Sequence, residues 1–209
     1  MYPTPESPDL VRPPVGAAIP ALTFLGVNVV ALNILTLIGL WAMFQVEENG
    51  DDAEPVADAL ALGSILELLL TAAAGVFVII WLWRARANAD VIDDLSSTWS
   101  RPWVIFGWVV PVVSLWVPRS IVGSVWRVSA PPRATEWPVN LWWTAYLVYL
   151  IGGRVASTNP VDGFRADLYP FVTLAGSLGA LLAMLVVWKI TRFQEAQAVR
   201  LRQALATGA

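Results

Sequence analysis

No cysteine and no histidine occur among the 209 residues of this chain. Their absence excludes disulfides, zinc sites of the usual composition, histidine-ligated haem, and catalysis through Cys–His or Ser–His–Asp arrangements. No cofactor is expected on the same ground. Charge is scarce too: only 14% of residues carry it, against roughly 25% in a soluble domain. That is too little to solvate an ordinary globular surface, so a water-soluble monomer is not expected. The formal net charge of −3 argues against nucleic acid as a partner, since such proteins carry a basic excess. What the chain has instead is apolar bulk, with 57% hydrophobic residues, 12 of them tryptophan, and a mean hydropathy of +0.62. The excess apolar side chains are expected to face lipid.

The chain divides by composition. Residues 1–20 hold six prolines and few apolar side chains, which reads as an extended, disordered cytoplasmic tail. The segment lacks the basic start of a signal peptide, and no small-residue cleavage site follows it. Residues 21–46 form a run of 26 without a charge; as a helix it would reach about 39 Å, enough to cross a hydrocarbon core of about 30 Å. A loop with six carboxylates and no basic residue, 47–58, separates it from a second run over 59–83, broken only by Glu67. That loop lacks the spacing of an EF-hand and reads as solvated. Uncharged stretches follow at 102–118 and 137–153, and a last apolar run covers 168–188 before Lys189. Beyond 190 the chain reads as a helical cytoplasmic extension over 191–209.

Charge distribution decides how many of these runs cross. If 102–118 enters and leaves on one side and the N-terminus is cytoplasmic, 11 of the 13 basic residues lie inside and only Arg154 and Arg165 outside. If all five runs cross, the split is 6 to 7, which no positive-inside bias would give. Pro111 and Pro118 also interrupt the middle stretch, and each removes a backbone donor. The expected fold is therefore an all-α integral membrane protein with four transmembrane helices at about 21–46, 59–83, 137–153 and 168–188. A Pro/Trp-rich re-entrant or interfacial segment over 102–129 completes the bundle of residues 21–190. Under this threading Trp81, Trp83, Trp99, Trp103, Trp137, Trp142, Trp143 and Trp188 fall near the cytoplasmic interface and Trp41 near the outer one.

Two sets of residues stand out chemically. Glu67 lies about 12 Å below the outer boundary, counted from Ala59 at 1.5 Å per residue, where an ionised carboxylate is costly and often marks a pathway. Ser64 and Thr71 share its helix face, Asn33 and Thr36 lie at similar depth on the first span, and Arg154 is the nearest cation. The ordinary reading is a hydrogen-bonded glue between helices. The second set is Arg84, Arg86, Arg119, Arg127 and Trp126, candidate contacts for anionic lipid headgroups. In 119–127 the apolar Ile121, Val122, Val125 and Trp126 fall on one helical face and the arginines on the other, as an interfacial helix requires. The arginines also serve as ordinary topology signals. Thr173, Gly176, Ala180 and Ala183 line one face of the last span and suit close helix packing within the chain or with a second copy. A metal-dependent enzyme would have to use Asp90, Asp93 and Asp94, whose spacing compels no ligand set.

The ordered series Trp81-Leu-Trp83-Arg84-Ala-Arg86-Ala-Asn88, Gly107-Trp108, Pro111, Ser114-Leu-Trp116-Val-Pro118, Val125-Trp126-Arg127-Val-Ser129 and Leu141-Trp142-Trp143 resembles the membrane family catalogued as domain of unknown function 4328. The resemblance covers roughly residues 75–190 and implies a bacterial multi-pass membrane protein; it implies no activity. Where this chain has Ser114, the family pattern often has Asn. The function expected is therefore a non-enzymatic accessory or lipid-interacting scaffold of the inner membrane, with both termini cytoplasmic. Its expected partners are the bilayer, anionic lipid, and another membrane protein or a second copy. The alternative is a small transporter or channel working through Glu67.

Overall fold

The computed structural model describes residues 12–49, 53–92, 99–157 and 168–207, and side chains throughout these except at 42–49, 53–60, 157 and 169. The regular structure of the described residues is all helical, in six α-helices: α1 (Val15–Asn49), α2 (Ala53–Ile92), α3 (Trp103–Val109), α4 (Val117–Ser129), α5 (Trp137–Ser157) and α6 (Tyr169–Thr207). A single 3-10 turn, Val113–Leu115, lies between α3 and α4. Proline sets several of the boundaries. Val110 precedes Pro111 and Ala130 precedes Pro131, and both are extended, with ψ of 114° and 151°. A residue before proline is driven out of the α region, so α3 and α4 end there. Pro118, Pro138 and Pro170 each occupy the second residue of a helix, where the missing N–H costs nothing.

Two boundaries differ from expectation. The proline-rich tail stops short of residue 20: Pro14 is buried, its carbonyl accepts the amides of Ala17 and Ala18 at 3.0 and 2.8 Å, and α1 starts at Val15 with Pro20 inside it. Residues 1–11, the rest of that tail, lie outside the described residues, as do 50–52 of the acidic loop. The second helix does not stop at Trp83 but runs to Ile92, because Arg84-Ala-Arg86-Ala contains only good helix formers and no breaker. Helix α6 runs past Lys189 to Thr207, through the stretch where a helical extension is expected.

Among the described residues, three helices are long and apolar enough to cross a membrane: Val15–Trp41, Ala61–Ile92 and Pro170–Thr207. The fourth expected span, α5, has 21 residues but falls outside that set. Trp142, Trp143, Tyr146 and Tyr149 take positions where the other helices carry aliphatic side chains.

The chain divides into two compact units. The first comprises Met1–Leu22, Phe77–Asn140 and Leu185–Ala209; the second comprises Thr23–Val76 and Leu141–Met184. The first has a conventional interior. Trp81, Leu82, Val104, Ile121, Val125, Trp126, Val139 and Ile190 are fully buried in it. The second carries a largely apolar surface, with Val30, Leu37, Leu62, Leu66, Leu69, Leu174 and Leu181 all exposed, and its interior mixes Leu25, Leu32, Val172 and Leu182 with the hydroxyls of Thr36, Thr173 and Ser177.

Within the second unit, α1, α2, α5 and α6 close a ring. On α1, Asn28 donates to the Thr71 hydroxyl of α2 at 2.6 Å, and Gly63 of α2 receives the Leu35 side chain. Asn33 donates to Ser177 of α6 at 2.7 Å, and the Thr36 and Thr173 hydroxyls meet at 3.1 Å. A Cβ at Gly176 would lie 2.7 Å from the Tyr149 ring of α5. With no hydrophobic force between helices in lipid, close packing and such polar pairs must hold them together. The small-residue face at Thr173, Gly176 and Ala183 is thus used inside the chain.

Candidate functional site

Helix α4 is the centre of the first unit. Its apolar face, expected from sequence to meet lipid, is covered by protein: Ile121, Val122, Val125 and Trp126 are all buried. Trp126 is only 2% exposed and packs edge-on to Phe193 of α6, with ring centroids 5.5 Å apart. It is a core residue and makes no headgroup contact. The helical wheel displays the distribution correctly, but a second protein layer rather than lipid covers it.

The polar face of α4 meets α2. Arg86 is 5% exposed, forms an ion pair with Asp90 at 2.8 Å, and donates to Ser124 of α4 at 3.3 Å. Asp90 also holds Arg101 at 2.9 Å. Arg86 is therefore a structural cation rather than a lipid contact. Arg84, two residues earlier and on the other side of the helix, is exposed. Asp90 is thereby engaged by two arginines, and Asp93 and Asp94 lie outside the described residues.

Close by on α2, Asn88 makes a reciprocal amide pair with the Arg12 backbone, accepting its N–H at 3.2 Å and donating to its carbonyl at 2.8 Å. It also donates to Gln194 of α6 at 3.0 Å. Gln194, with no exposed surface, donates to the Ala85 carbonyl and the Ser129 hydroxyl at 2.9 and 3.0 Å. Gln197 donates to the Val128 and Ser129 carbonyls at 3.0 and 3.1 Å, satisfying carbonyls that the end of α4 leaves without helical partners. Trp81, expected at the interface, is also in the core and donates to Thr191 at 3.0 Å. Gln194, Gln197 and Thr191 are not among the residues expected from sequence to matter. The signal that marks them is polarity at three-residue spacing on a helix whose neighbouring inward positions, Val187, Ile190 and Ala198, are apolar.

Preceding α4, the stretch 105–116 forms an uncharged knuckle. Ile105, Phe106, Val109, Val110, Val112, Leu115 and Trp116 are all exposed there, Val109 by 70% and Val112 by 66%. Gly107 lets α3 lie close against α4, since a Cβ there would sit 2.9 Å from the Val117 side chain. At seven residues, α3 is about 10 Å long, a third of a hydrocarbon core.

At the foot of α4, two arginines converge on one carboxylate. Arg127 pairs with Glu136 at 2.9 Å and Arg119 with the same carboxylate at 3.5 Å. Arg119 also donates through Nε and Nη2 to the Asn140 side-chain oxygen.

In the second unit, Glu67 is half-buried and accepts from the Tyr149 hydroxyl of α5 at 3.4 Å. Thr71 shares its inward stripe, but Ser64 is exposed. Asn33 and Thr36, expected beside Glu67, instead bond Ser177 and Thr173. Arg154 is exposed near the end of α5. Tyr149, Asn28, Ser177 and Thr173 complete the polar set; the first three have no distinguishing sequence signal.

An all-helical architecture, three helices able to cross a membrane and an outward-facing apolar surface define the class as a membrane protein. The family model described as Domain of unknown function (DUF4328) matches residues 45–195, and the chain belongs to that family. No curated protein and no solved structure matches the chain.

Proposed function

We propose that the protein is a non-enzymatic accessory or scaffold protein of the bacterial inner membrane. It crosses four times with both termini cytoplasmic, and its 102–129 segment dips the hairpin tip of residues 105–116 into the lipid from the cytoplasmic side. The observation that carries this reading is the uncharged knuckle of exposed side chains from Ile105 to Trp116. It is mounted on α4, whose apolar face is protein-covered. A helix about 10 Å long cannot cross the bilayer, so the hairpin must enter and leave on one side. Backbone at such a depth must bond within the protein, and the turn after α3 does so in part: the Ser114 N–H donates to the Val110 carbonyl at 2.8 Å and its hydroxyl to the Pro111 carbonyl at 2.6 Å. Support for α5 as the fourth span is its place in the ring with α1, α2 and α6, through Tyr149 against Glu67 and Gly176.

The test exploits the lack of cysteine. A nitroxide attached to Val112→Cys in reconstituted protein is expected to be relaxed by oxygen, which concentrates in lipid. It should be shielded from a water-soluble nickel complex, with a nitroxide at Thr135→Cys showing the reverse. Water-type relaxation at residue 112 would refute the embedded hairpin. The second reading, transport through Glu67, is favoured by the Tyr149 contact, which puts a hydroxyl where a proton could be passed to the carboxyl.

A further inference from the structure

We propose that Arg119, Arg127 and Asn140 form a binding site for the phosphate of an anionic lipid headgroup, held closed in this structure by Glu136. The proposal rests on the lipid-embedded hairpin. Arg119, Gly123 and Arg127 are spaced i, i+4, i+8 on α4 and share one face. A Cβ at Gly123 would lie 3.5 Å from both Arg127 Nη1 and Glu136 Oε2, and 3.8 Å from Arg119 Nη1. The three charged heads therefore gather over a patch of bare backbone. Two guanidinium groups sharing one carboxylate leave the cluster with a surplus positive charge.

The arginines remain accessible, their side chains 35% and 52% exposed, whereas Arg86 is not. Asn140 fixes the Arg119 fork from the side through Nε and Nη2. This orients a planar donor group, and guanidinium forks match the paired oxygens of carboxylate and phosphate alike. Glu136 thus occupies the position of a phosphate O–P–O edge. It lies just before α5, so its side chain can leave by rotamer change without unfolding a helix.

The position along α4 selects lipid over a soluble phosphate. Arg119 follows the exposed Trp116 by three residues, about 4.5 Å of helix. An exposed tryptophan at the end of an apolar knuckle marks the headgroup level. The phosphate layer of the bilayer is then within reach of Arg119, and Arg127 lies further toward the water.

The test uses the full chain in phosphatidylcholine nanodiscs carrying a minor fraction of phosphatidylglycerol, with lipid retained on release read by native mass spectrometry. Wild type is expected to retain phosphatidylglycerol selectively. Arg119→Gln and Arg127→Gln should each weaken that selectivity by about tenfold, the scale of one charge-assisted hydrogen bond. Glu136→Gln should strengthen it by a similar factor, a gain that misfolding does not produce. Inorganic phosphate is titrated against the same protein in detergent. Binding of phosphate that needs Arg127, without phosphatidylglycerol selectivity, would assign the site to a soluble anion and overturn the lipid proposal. Unchanged selectivity in all three variants would overturn the site itself. The nitroxide at residue 112 is read in parallel, so loss of the headgroup site with an oxygen-relaxed label refutes only this inference. A water-exposed label refutes the embedded hairpin beneath it.

Discussion

Gln194 uses its whole amide: both donors and the carbonyl are bonded to α2, α4 and Asn88 without contact with solvent. Replacing it with leucine keeps the volume but removes the acceptor of one Asn88 amide hydrogen and the donor to the Ser129 hydroxyl. Each buried polar group left unpaired costs about 1–3 kcal/mol. Gln194→Leu is therefore expected to lower the unfolding midpoint in detergent clearly, while Gln203→Leu, at an exposed position on the same helix, leaves it unchanged. Equal midpoints for the two variants would remove the central role given to this network. At Glu67 the expectation is different. Glu67→Gln retains a hydrogen-bonding partner for Tyr149 and should fold normally. A proton- or ion-coupled flux measured in vesicles should be lost if the carboxyl passes protons and unaltered if it only joins helices.

Much at this scale is closed to sequence reasoning. The depth of Asn33 and Thr36 is readable from helix rise, but a depth does not say which neighbour a side chain meets. They meet α6, not Glu67. Arg84 and Arg86 look equivalent in sequence, yet two residues of helix turn them to nearly opposite sides, so one is exposed and the other is held by Asp90.

Among the elements, the broken segment at 102–118 is the most legible. Pro111 sets where α3 ends, and the uncharged run shows that the knuckle carries no ion. Helix α4 is half legible: its amphipathic distribution is real, but a helix wheel does not identify what covers each face. Helix ends are legible where proline sets them and illegible where helix formers continue, as beyond Trp83. Close helix approach gives a prediction here. Gly107→Ala and Gly176→Ala would each bring a methyl within 2.9 and 2.7 Å of a neighbouring side chain. Overpacking of this kind costs about 1–3 kcal/mol, and both variants are expected to unfold earlier than wild type. Gly75→Ala on α2 meets nothing within 4 Å and should be neutral or stabilising by about 0.5–1 kcal/mol, as for any glycine in a helix interior. An equal response at all three positions, measured by thermal unfolding, would contradict the packing described.

For the molecule as a whole, the reading depends on arrangement in the membrane. Apolar abundance and scarce charge are enough to mark a membrane protein, and the second unit agrees, with aliphatic side chains outward and hydroxyls among its buried residues. The first unit is not legible in the same way. Its fully buried core, from Trp81 through Gln194, is assembled from the continuations of α2 and α6 together with the hairpin, and no window of hydropathy distinguishes such a core from lipid-facing surface. The side of the membrane on which the basic residues lie carries the four-span threading, the embedded hairpin and the depth of Glu67 together.

Single cysteines in this cysteine-free chain, labelled on intact cells with a membrane-impermeant maleimide, test that threading directly. With four spans and cytoplasmic termini, Asp51→Cys and Asp162→Cys are expected to react from outside, whereas Thr135→Cys and Gln203→Cys react only after the membrane is opened. Labelling of residue 135 from outside, with residue 51 also labelled, would contradict it.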